Sequence, residues 1–175
     1  MVAVKPALAR AFGNDSWVWA VAIADLDAPT LAEVTALTAF DMSCTLFREQ
    51  EGIVANTETV TLPALLCETE NYESKGATTY GMSDLSVAFR PQDAAGEDGK
   101  LAWEAMDDMA EGFLVRRQGI RSTDAWAAGQ FVDVFPAQLG VKVPGKTGTG
   151  ADAAYNFTVA VSVTGQASFN VALVA

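Results

Sequence analysis

Eight consecutive apolar residues, 17–24, constrain this chain more than any other feature of its sequence. As a strand, the segment places larger side chains on one face and smaller ones on the other: Trp17, Trp19, Val21 and Ile23 against Val18, Ala20, Ala22 and Ala24. A strand with one face in water normally carries polar residues at alternate positions, so both faces of this strand must be covered. The cover comes either from the rest of the chain or from a neighbouring subunit.

Alternation with period two recurs along the chain and predicts a mainly β fold. In one strand, Phe40–Leu46, the inward residues are Phe40, Met42, Cys44 and Leu46. Further strands are predicted at Ile53–Leu62, Asp84–Arg90, 113–115, 131–135, 139–143 and 155–163, with a break near Pro136. About eight strands and one packed helix predict an antiparallel β-sandwich or β-barrel. We expect one domain over residues 1–175, the length of an ordinary single domain.

The C-terminal alternation resumes after Gly165 and predicts a hairpin. Cross-strand partners in an antiparallel hairpin must share a face of the sheet. A loop of Gly165, Gln166 and Ala167 meets this condition, because it pairs Val163 with Phe169.

Two helices are predicted. Thr30 and Glu33 have the spacing of a capping box, which starts a short helix. A longer helix is expected from Asp98 to Glu111, with an apolar face and an acidic face. Asp107 and Asp108 belong to the acidic face, which is typical of a solvated surface, and Trp103 lies at the border, where an aromatic side chain suits a subunit contact.

Charge and cysteine content exclude several classes of protein. The chain has 22 acidic and 11 basic residues, a net charge of -11, so its surface should repel nucleic acid. Half of the residues are hydrophobic and the mean hydropathy is +0.19, which favours association with other chains. No apolar run reaches the roughly 20 residues that cross a membrane.

Cys44 and Cys67 lack the spacing of a zinc site and are predicted to be buried thiols. A single disulfide between them is the alternative that the sequence leaves open.

The sequence offers no catalytic residue, cofactor site or metal site. There is no histidine, which excludes Ser-His-Asp and Cys-His chemistry. Residues 140–147 match the phosphate-binding GxxxxGK[ST] pattern, but Gly148 and Gly150 follow where a helix must begin. A flexible hairpin connection is therefore the better interpretation, and the chain is not predicted to be an enzyme.

The charged residues are grouped along the chain. Six acidic residues and no basic one lie between Glu49 and Glu73, and the mixture of polar residues from Glu68 to Gly81 predicts a long acidic loop. The dense basic group is Arg116, Arg117 and Arg121, expected on an exposed strand or loop. These arginines are predicted to pair with acidic residues of the same copy or an adjacent one.

Three stretches in this order resemble the major tail tube protein family of long-tailed bacteriophages, the siphophages, especially those of actinobacterial hosts. They are Ala28–Ala36 followed by the Phe40–Leu46 strand, the acidic helix around Trp103, and the terminal hairpin at 163–168. The resemblance implies a β-sandwich whose copies form hexameric rings, stacked into a hollow tail tube that conducts double-stranded DNA. It also implies no catalysis, no cofactor and no membrane, assembly in the host cytoplasm, and a place in the virion beside terminator, tape measure and distal tail proteins.

The resemblance assigns roles to particular segments. An N-terminal arm, residues 1–16, and the 49–81 region are expected to bridge subunits or rings. The expected subunit-interface residues are Trp17, Trp19, Trp103, Arg116, Arg117 and Arg121. Acidic residues lining the bore would keep DNA from adhering, and the candidates are Glu68, Glu70, Glu73, Asp107 and Asp108.

The alternative from another class is a capsid decoration or adhesin-like β-sandwich that binds a surface or a glycan. Such a module presents aromatic side chains in an open groove. Trp103 and Trp126 are the candidates for that role.

Overall fold

The computed structural model describes residues 11, 13–47, 53–63, 65–67, 70 and 72–175, and within them the chain is predominantly β. The strands are β1 Asp15–Ala20, β2 Phe40–Asp41, β3 Ile53–Thr61, β4 Glu73–Met82, β5 Leu85–Ala88, β6 Glu111–Gln118, β7 Phe131–Leu139, β8 Val143–Thr147, β9 Ala154–Val159, β10 Val161–Val163 and β11 Ser168–Ala172. The helices are α1 Leu31–Val34 and α2 Leu101–Ala105, with a 3₁₀ turn at Gly150–Asp152. No helix in these ranges is long and apolar enough to cross a membrane.

The strands form three antiparallel sheets. A six-stranded sheet has the order β10-β7-β6-β1-β2, with β11 also paired to β7. A three-stranded sheet has the order β5-β9-β8, and β3 and β4 form a two-stranded hairpin. The main core lies between the first two sheets, where Trp19 and Phe135 meet Val87 and Phe157. The predicted antiparallel β-sandwich is confirmed.

The chain itself covers both faces of its most apolar strand, β1. Trp17 and Trp19 enter the core between the sheets, at 5% and 1% exposure. Val18 and Ala20 face a second apolar cluster on the other side of the sheet, beneath Val34 of α1 and beneath Leu173. Of the two sources of cover that the sequence allowed, the structure shows cover from within one copy.

The α1 capping box is confirmed. The Glu33 amide donates to Thr30 Oγ1 at 3.2 Å, and the Thr30 amide donates to Glu33 Oε2 at 2.8 Å. The second Glu33 oxygen accepts the Ala24 amide at 2.8 Å, which ties α1 to the chain that leaves β1. Burial raises the pKa of Glu33, but the hydrogen bonds from Thr30 and Ala24 outweigh it, so the pKa is lowered.

The longer helix was predicted wrongly. It spans only Leu101–Ala105, and Glu111, expected at its C-terminus, is the first residue of β6. Met109 has a φ of 61°, in the left-handed region that ends a helix. The pairing of β6 with β7 from Glu111 onward thus outweighs the local helical pattern, and Asp107 and Asp108 lie in a turn rather than on a helix face.

β7 runs through Pro136, where a break was expected. The Pro136 carbonyl accepts from the Thr164 amide at 2.9 Å, so the nitrogen of this residue also faces the β10–β11 side of the strand. On that side β11 pairs as far as Val134, and β10 begins at Ala137. The N–H that Pro136 lacks would therefore point into the gap between β11 and β10, and no hydrogen bond between β7 and β6 is lost.

The predicted C-terminal hairpin is also wrong. β10 and β11 pair with different stretches of β7, so Val163 lies opposite Ala137 rather than Phe169. The strand predicted over 155–163 divides at Ala160, with β9 in the three-stranded sheet and β10 in the six-stranded sheet. Alternation alone does not distinguish one long strand from two strands that cross between sheets.

Two further predictions concern residues 40–81. The strand from Phe40 stops at Asp41 and turns at 43–45, which leaves Cys44 exposed instead of buried, and Cys67 is exposed as well. Both thiols are free, so the structure shows no disulfide between Cys44 and Cys67.

The expected loop at 68–81 is largely strand β4, because its Ser, Thr and Tyr residues pair with β3.

Candidate assembly surface

The β3–β4 hairpin projects from the sandwich with most of its surface in solvent. Its base is fixed by Ile53, Tyr80 and Met82, which pack against the main core. From Val54 to Thr61 on β3 and from Glu73 to Thr79 on β4, every residue is exposed. The pairing contains a bulge between Thr57 and Thr59, which increases the local twist.

Apolar side chains are exposed along the hairpin and the connection at its end. They are Val54, Val60, Leu62, Leu65, Leu66 and Tyr72, with exposures from 42% to 110%. A two-stranded hairpin in water is marginally stable when nothing packs on it. An exposed apolar surface of this kind marks a site of association.

The outer edges of the hairpin are open to further strand pairing. β3 and β4 each pair only with the other in the described sheets. The free edge of the three-stranded sheet is different, because β8 carries Pro144 and Lys146, residues that block edge pairing. The edge strand β2 is only two residues long. The hairpin therefore offers the longest unpaired edges in the described part of the chain.

Aromatic contacts attach the hairpin to the C-terminal strand. The rings of Tyr80 and Phe169 lie 6.0 Å apart, and Phe169 meets Phe135 edge-on at 5.5 Å. Phe169 lies where the pairing of β11 with β7 shifts register, and Asn170 beside it has a φ of 54°. The Asn170 amide donates to Asp133 Oδ1 at 2.9 Å, which stabilises this irregular segment.

Arg116 is paired within its own copy. Its Nε and Nη2 atoms donate to Asp133 Oδ2 at 3.1 and 2.7 Å, and its guanidinium carbon lies 5.6 Å from the centre of the Trp17 ring. Asp15 lies near this pair, and burial raises its pKa although the charge of Arg116 opposes the shift. Arg116 thus pairs with an acidic residue of the same copy. A partner in the same copy and a partner in an adjacent copy were the two predictions for the basic group.

Arg117 is fully buried and organises the loop that connects β6 to β7. Nη1 donates to the Ala125 carbonyl and to Gln130 Oε1, both at 3.0 Å. Nη2 donates to Ser16 Oγ and to the carbonyls of Arg121 and Asp124, at 3.1, 3.0 and 2.8 Å. The guanidinium carbon lies 4.4 Å from the centre of the Trp126 ring. Desolvation lowers the pKa of Arg117, and the carboxylates of Asp41 and Asp124 oppose that shift.

Comparison with known proteins identifies the family. The sequence model of the family described as Phage tail tube protein matches residues 3–175. The chain belongs to the phage tail tube protein family. Tail tube proteins are structural components of phage tails, so this chain is a structural tail protein and not an enzyme.

Two other comparisons complete this result. No curated protein matches the chain. Among solved structures, it is similar to a chain of the structure titled "Cryo-EM structure of the anti-feeding prophage (AFP) baseplate, 6-fold symmetrised". The identity is 10%, the TM-score is 0.49, and the match covers 95% of this chain and 96% of the other.

Three of the six interface residues predicted for this tail tube protein are buried inside one copy. Trp17 and Trp19 fill the core, and Arg117 is 0% exposed. Their side chains pack within the copy that carries them, and the role predicted for them at a subunit interface stays a prediction. Sequence alone does not separate the two places, because large aromatic and basic side chains favour interfaces and also fill cores and bind loops.

Of the other three predicted interface residues, Arg121 alone is exposed. Arg116 is engaged by Asp133. Trp103 is half-buried, stacked on Phe89 at 4.8 Å and edge-on to Phe157 at 5.2 Å, while Lys142 Nζ donates to its carbonyl at 2.7 Å. Neither tryptophan offered for a glycan groove is open, because Trp126 is half-buried over Arg117 and donates to Asp41.

The acidic residues predicted for the bore lie on separate parts of this tail tube protein. Glu70 and Glu73 are exposed at the end of the hairpin, and Glu68 lies outside the described residues. Asp107 and Asp108 lie at the end of the six-stranded sheet where β6 begins. The phosphate-binding pattern at 140–147 becomes the antiparallel strand β8, which provides no helix N-terminus for a phosphate.

Proposed function

We propose that copies of this chain, each a single domain over 1–175, form hexameric rings stacked into the hollow tail tube of a long-tailed phage of an actinobacterial host. Double-stranded DNA passes through the tube during ejection. The tube assembles in the host cytoplasm, becomes part of the virion, and meets terminator, tape measure and distal tail proteins. The family match carries this proposal, and the six-fold order and the host come from the resemblance in the sequence.

The exposed hairpin supports self-assembly. The hairpin exposes apolar side chains and two unpaired strand edges, whereas the free edge at β8 carries Pro144 and Lys146. Every copy presents this same hairpin surface for association with another copy. A hairpin that binds a different surface of the next copy makes a heterologous contact, and such contacts form a ring when the rotation from copy to copy closes. We assign the 49–81 region to contacts between copies, and with it the half-buried Trp103 and the exposed Arg121, which lie on other parts of the chain.

The hairpin carboxylates support an acidic bore. Glu70 and Glu73 are exposed and give the end of the hairpin a negative charge in a chain whose net charge is -11. We assign these two residues, and Glu68, to the lumen, where they repel the phosphates of passing DNA. The lumen role of Asp107 and Asp108, which are exposed in the turn before β6, stays a prediction.

Electron microscopy and sedimentation of the purified chain test this function. The expected result is six-fold rings and hollow tubes that form as concentration rises. A variant in which residues 55–79 are replaced by a short turn should stay folded, because the core lies outside the segment, but remain monomeric. A matched control replaces the exposed 148–152 turn with glycine and serine, and it should assemble like the parent chain. A parent chain that stays monomeric at every concentration contradicts the proposal.

A further inference from the structure

The C-terminal strand β11 contains a bulge beside the hairpin. Its register against β7 shifts between Ser168 and Val171. Two residues of β11, Phe169 and Asn170, therefore lie opposite one residue of β7, Asp133, which is the arrangement of a β-bulge. Asn170 has a φ of 54°, in the left-handed region that asparagine adopts more readily than most residues.

Asp133 holds this bulge with both of its carboxylate oxygens. Oδ1 accepts the Asn170 amide at 2.9 Å, and so takes the place of the ladder acceptor that a bulge removes. Oδ2 accepts from Nε and Nη2 of Arg116 at 3.1 and 2.7 Å, which fixes the direction of the carboxylate. The two side chains are 18% and 14% exposed, whereas Arg90 of the Arg90–Asp93 pair is 73% exposed. The Asp133 contacts are therefore shielded from water, where charge-assisted hydrogen bonds are strong.

The bulge decides which face of the sheet each side chain of β11 meets. In a regular strand, Phe169, Val171 and Leu173 would share one face. In the structure, Val171 and Leu173 pack in the second apolar cluster, whereas Phe169 lies on the opposite face, edge-on to Phe135 of the main core. One extra residue thus lets β11 cover the second cluster and still direct Phe169 toward the hairpin.

A continuous row of contacts joins the ion pair to the base of the hairpin. The guanidinium carbon of Arg116 lies 5.9 Å from the centre of the Phe135 ring. The Phe135 and Phe169 rings lie 5.5 Å apart, and the Phe169 and Tyr80 rings lie 6.0 Å apart. Tyr80 belongs to β4, and from Thr79 back to Glu73 that strand is exposed. Contacts at the base must therefore fix the direction of the whole hairpin.

We propose that Asp133 is a positioning residue for the β3–β4 hairpin: it holds the bulge at Asn170, which turns Phe169 against Tyr80 and fixes the direction in which the hairpin leaves the sandwich. The consequence for assembly rests on the proposed function, because the direction of the hairpin would set the rotation from copy to copy that closes a ring. The positioning itself is a property of one copy, and it is measurable without assembly.

The two exposed cysteines allow the direction of the hairpin to be measured in the full-length chain. Cys44 lies on the sandwich, in the turn where the Thr45 carbonyl accepts the Ala88 amide at 2.7 Å, and Cys67 lies in the connection at the end of the hairpin. Nitroxide labels on both thiols, read by double electron–electron resonance below the assembly concentration, give the distribution of distances between them. The parent chain should give one narrow distribution.

Two substitutions should release the hairpin. Asp133→Ala should broaden the distance distribution about twofold, because the bulge loses its acceptor and Phe169 loses its fixed position. Phe169→Ala should broaden it to a similar extent, because the contact with Tyr80 is lost. Phe169 is 47% exposed, so this second variant should fold even where Asp133→Ala does not.

Two control variants should leave the distances unchanged. Asn170→Gly keeps the left-handed conformation that the bulge requires, since glycine adopts it without strain. Asp93→Ala removes another Arg–Asp ion pair, one that lies in the turn before α2 and has no contact with the row of rings. Thermal unfolding of each variant separates positioning from stability, because a residue that only stabilises the fold lowers the melting temperature without broadening the distances.

Distances that stay unchanged in both Asp133→Ala and Phe169→Ala overturn the positioning role and leave the proposed function standing. Where the distances broaden, the same variants should need about tenfold more protein to form closed rings. Rings that close at the parent concentration would overturn the link between hairpin direction and assembly. A parent chain with a narrow distribution that never assembles overturns the proposed function and leaves the positioning role standing.

Discussion

Arg117 shows how much of the fold depends on one buried charge. Its two terminal nitrogens bind five acceptors, of which three are carbonyls of the β6–β7 loop, one is Ser16 of β1, and one is Gln130. The guanidinium fork suits this divergent set of acceptors, which an ammonium group cannot reach together. The long loop between β6 and β7 is thereby given a fixed shape.

Arg117→Lys should lower the free energy of unfolding by about 3 kcal/mol, because buried carbonyls lose charged donors. The melting temperature of the unassembled chain should fall by about 10 °C. The matched control is Arg121→Lys at an exposed position, which should change stability by less than about 0.5 kcal/mol. Equal effects of the two substitutions would show that the Arg117 network contributes nothing to stability.

At the scale of the elements, the sequence indicated strands better than it indicated their partners. β3 and β5 lie where alternation predicts them, and the Thr30–Glu33 spacing predicts α1, because these patterns depend on neighbours along the chain. The helix at 98–111 and the C-terminal hairpin failed because strand pairing with distant β7 decided both regions. Arg117 was misplaced for a similar reason, since its acceptors include Ser16, 101 residues away.

The capping box of α1 makes a pH-dependent contribution to stability. The pKa of Glu33 is lowered in the folded chain, so its contribution is present above the ordinary value of 4.5 and is lost as pH falls through the folded pKa. Glu33→Gln should therefore cost about 1 kcal/mol at pH 7, and the difference from the parent should shrink as the pH falls below 4.5 and through the lowered pKa of Glu33. Urea unfolding across this pH range measures it. A difference that is constant with pH would contradict the role of the carboxylate charge.

The β3–β4 hairpin should change its dynamics on assembly more than any other described element. In the free chain its amides from Val54 to Thr61 should exchange rapidly with solvent, because few buried contacts hold the hairpin closed. In tubes their exchange should slow by roughly 100-fold, which is the effect of added strand pairing and burial. Hydrogen exchange with mass spectrometry measures this, and β6 and β7, buried in the free chain, serve as the internal control. Unchanged exchange in the hairpin would exclude it from the interface.

At the scale of the whole molecule, the net charge of -11 has two consequences that oppose each other. Repulsion between like-charged copies disfavours rings, so apolar contacts and local charge complementarity must exceed it. In the proposed tube, the same negative charge would keep DNA from adhering. Added salt screens this repulsion between copies.

The position of the acidic residues, rather than their number, should decide whether the tube retains DNA. Parent tubes should hold no double-stranded DNA at about 50 mM salt, while tubes with Glu70→Lys and Glu73→Lys should retain it and release it by about 200 mM, as counterion release requires. Asp98→Lys with Asp152→Lys produces the same change in net charge at exposed positions outside the hairpin. Co-sedimentation of labelled DNA with each set of tubes gives the comparison. If the hairpin carboxylates line the bore, only the first pair retains DNA that is protected from nuclease. Equal retention by both pairs would mean that DNA binding depends on the total charge of the tube alone. The assignment of the hairpin carboxylates to the lumen would then be wrong.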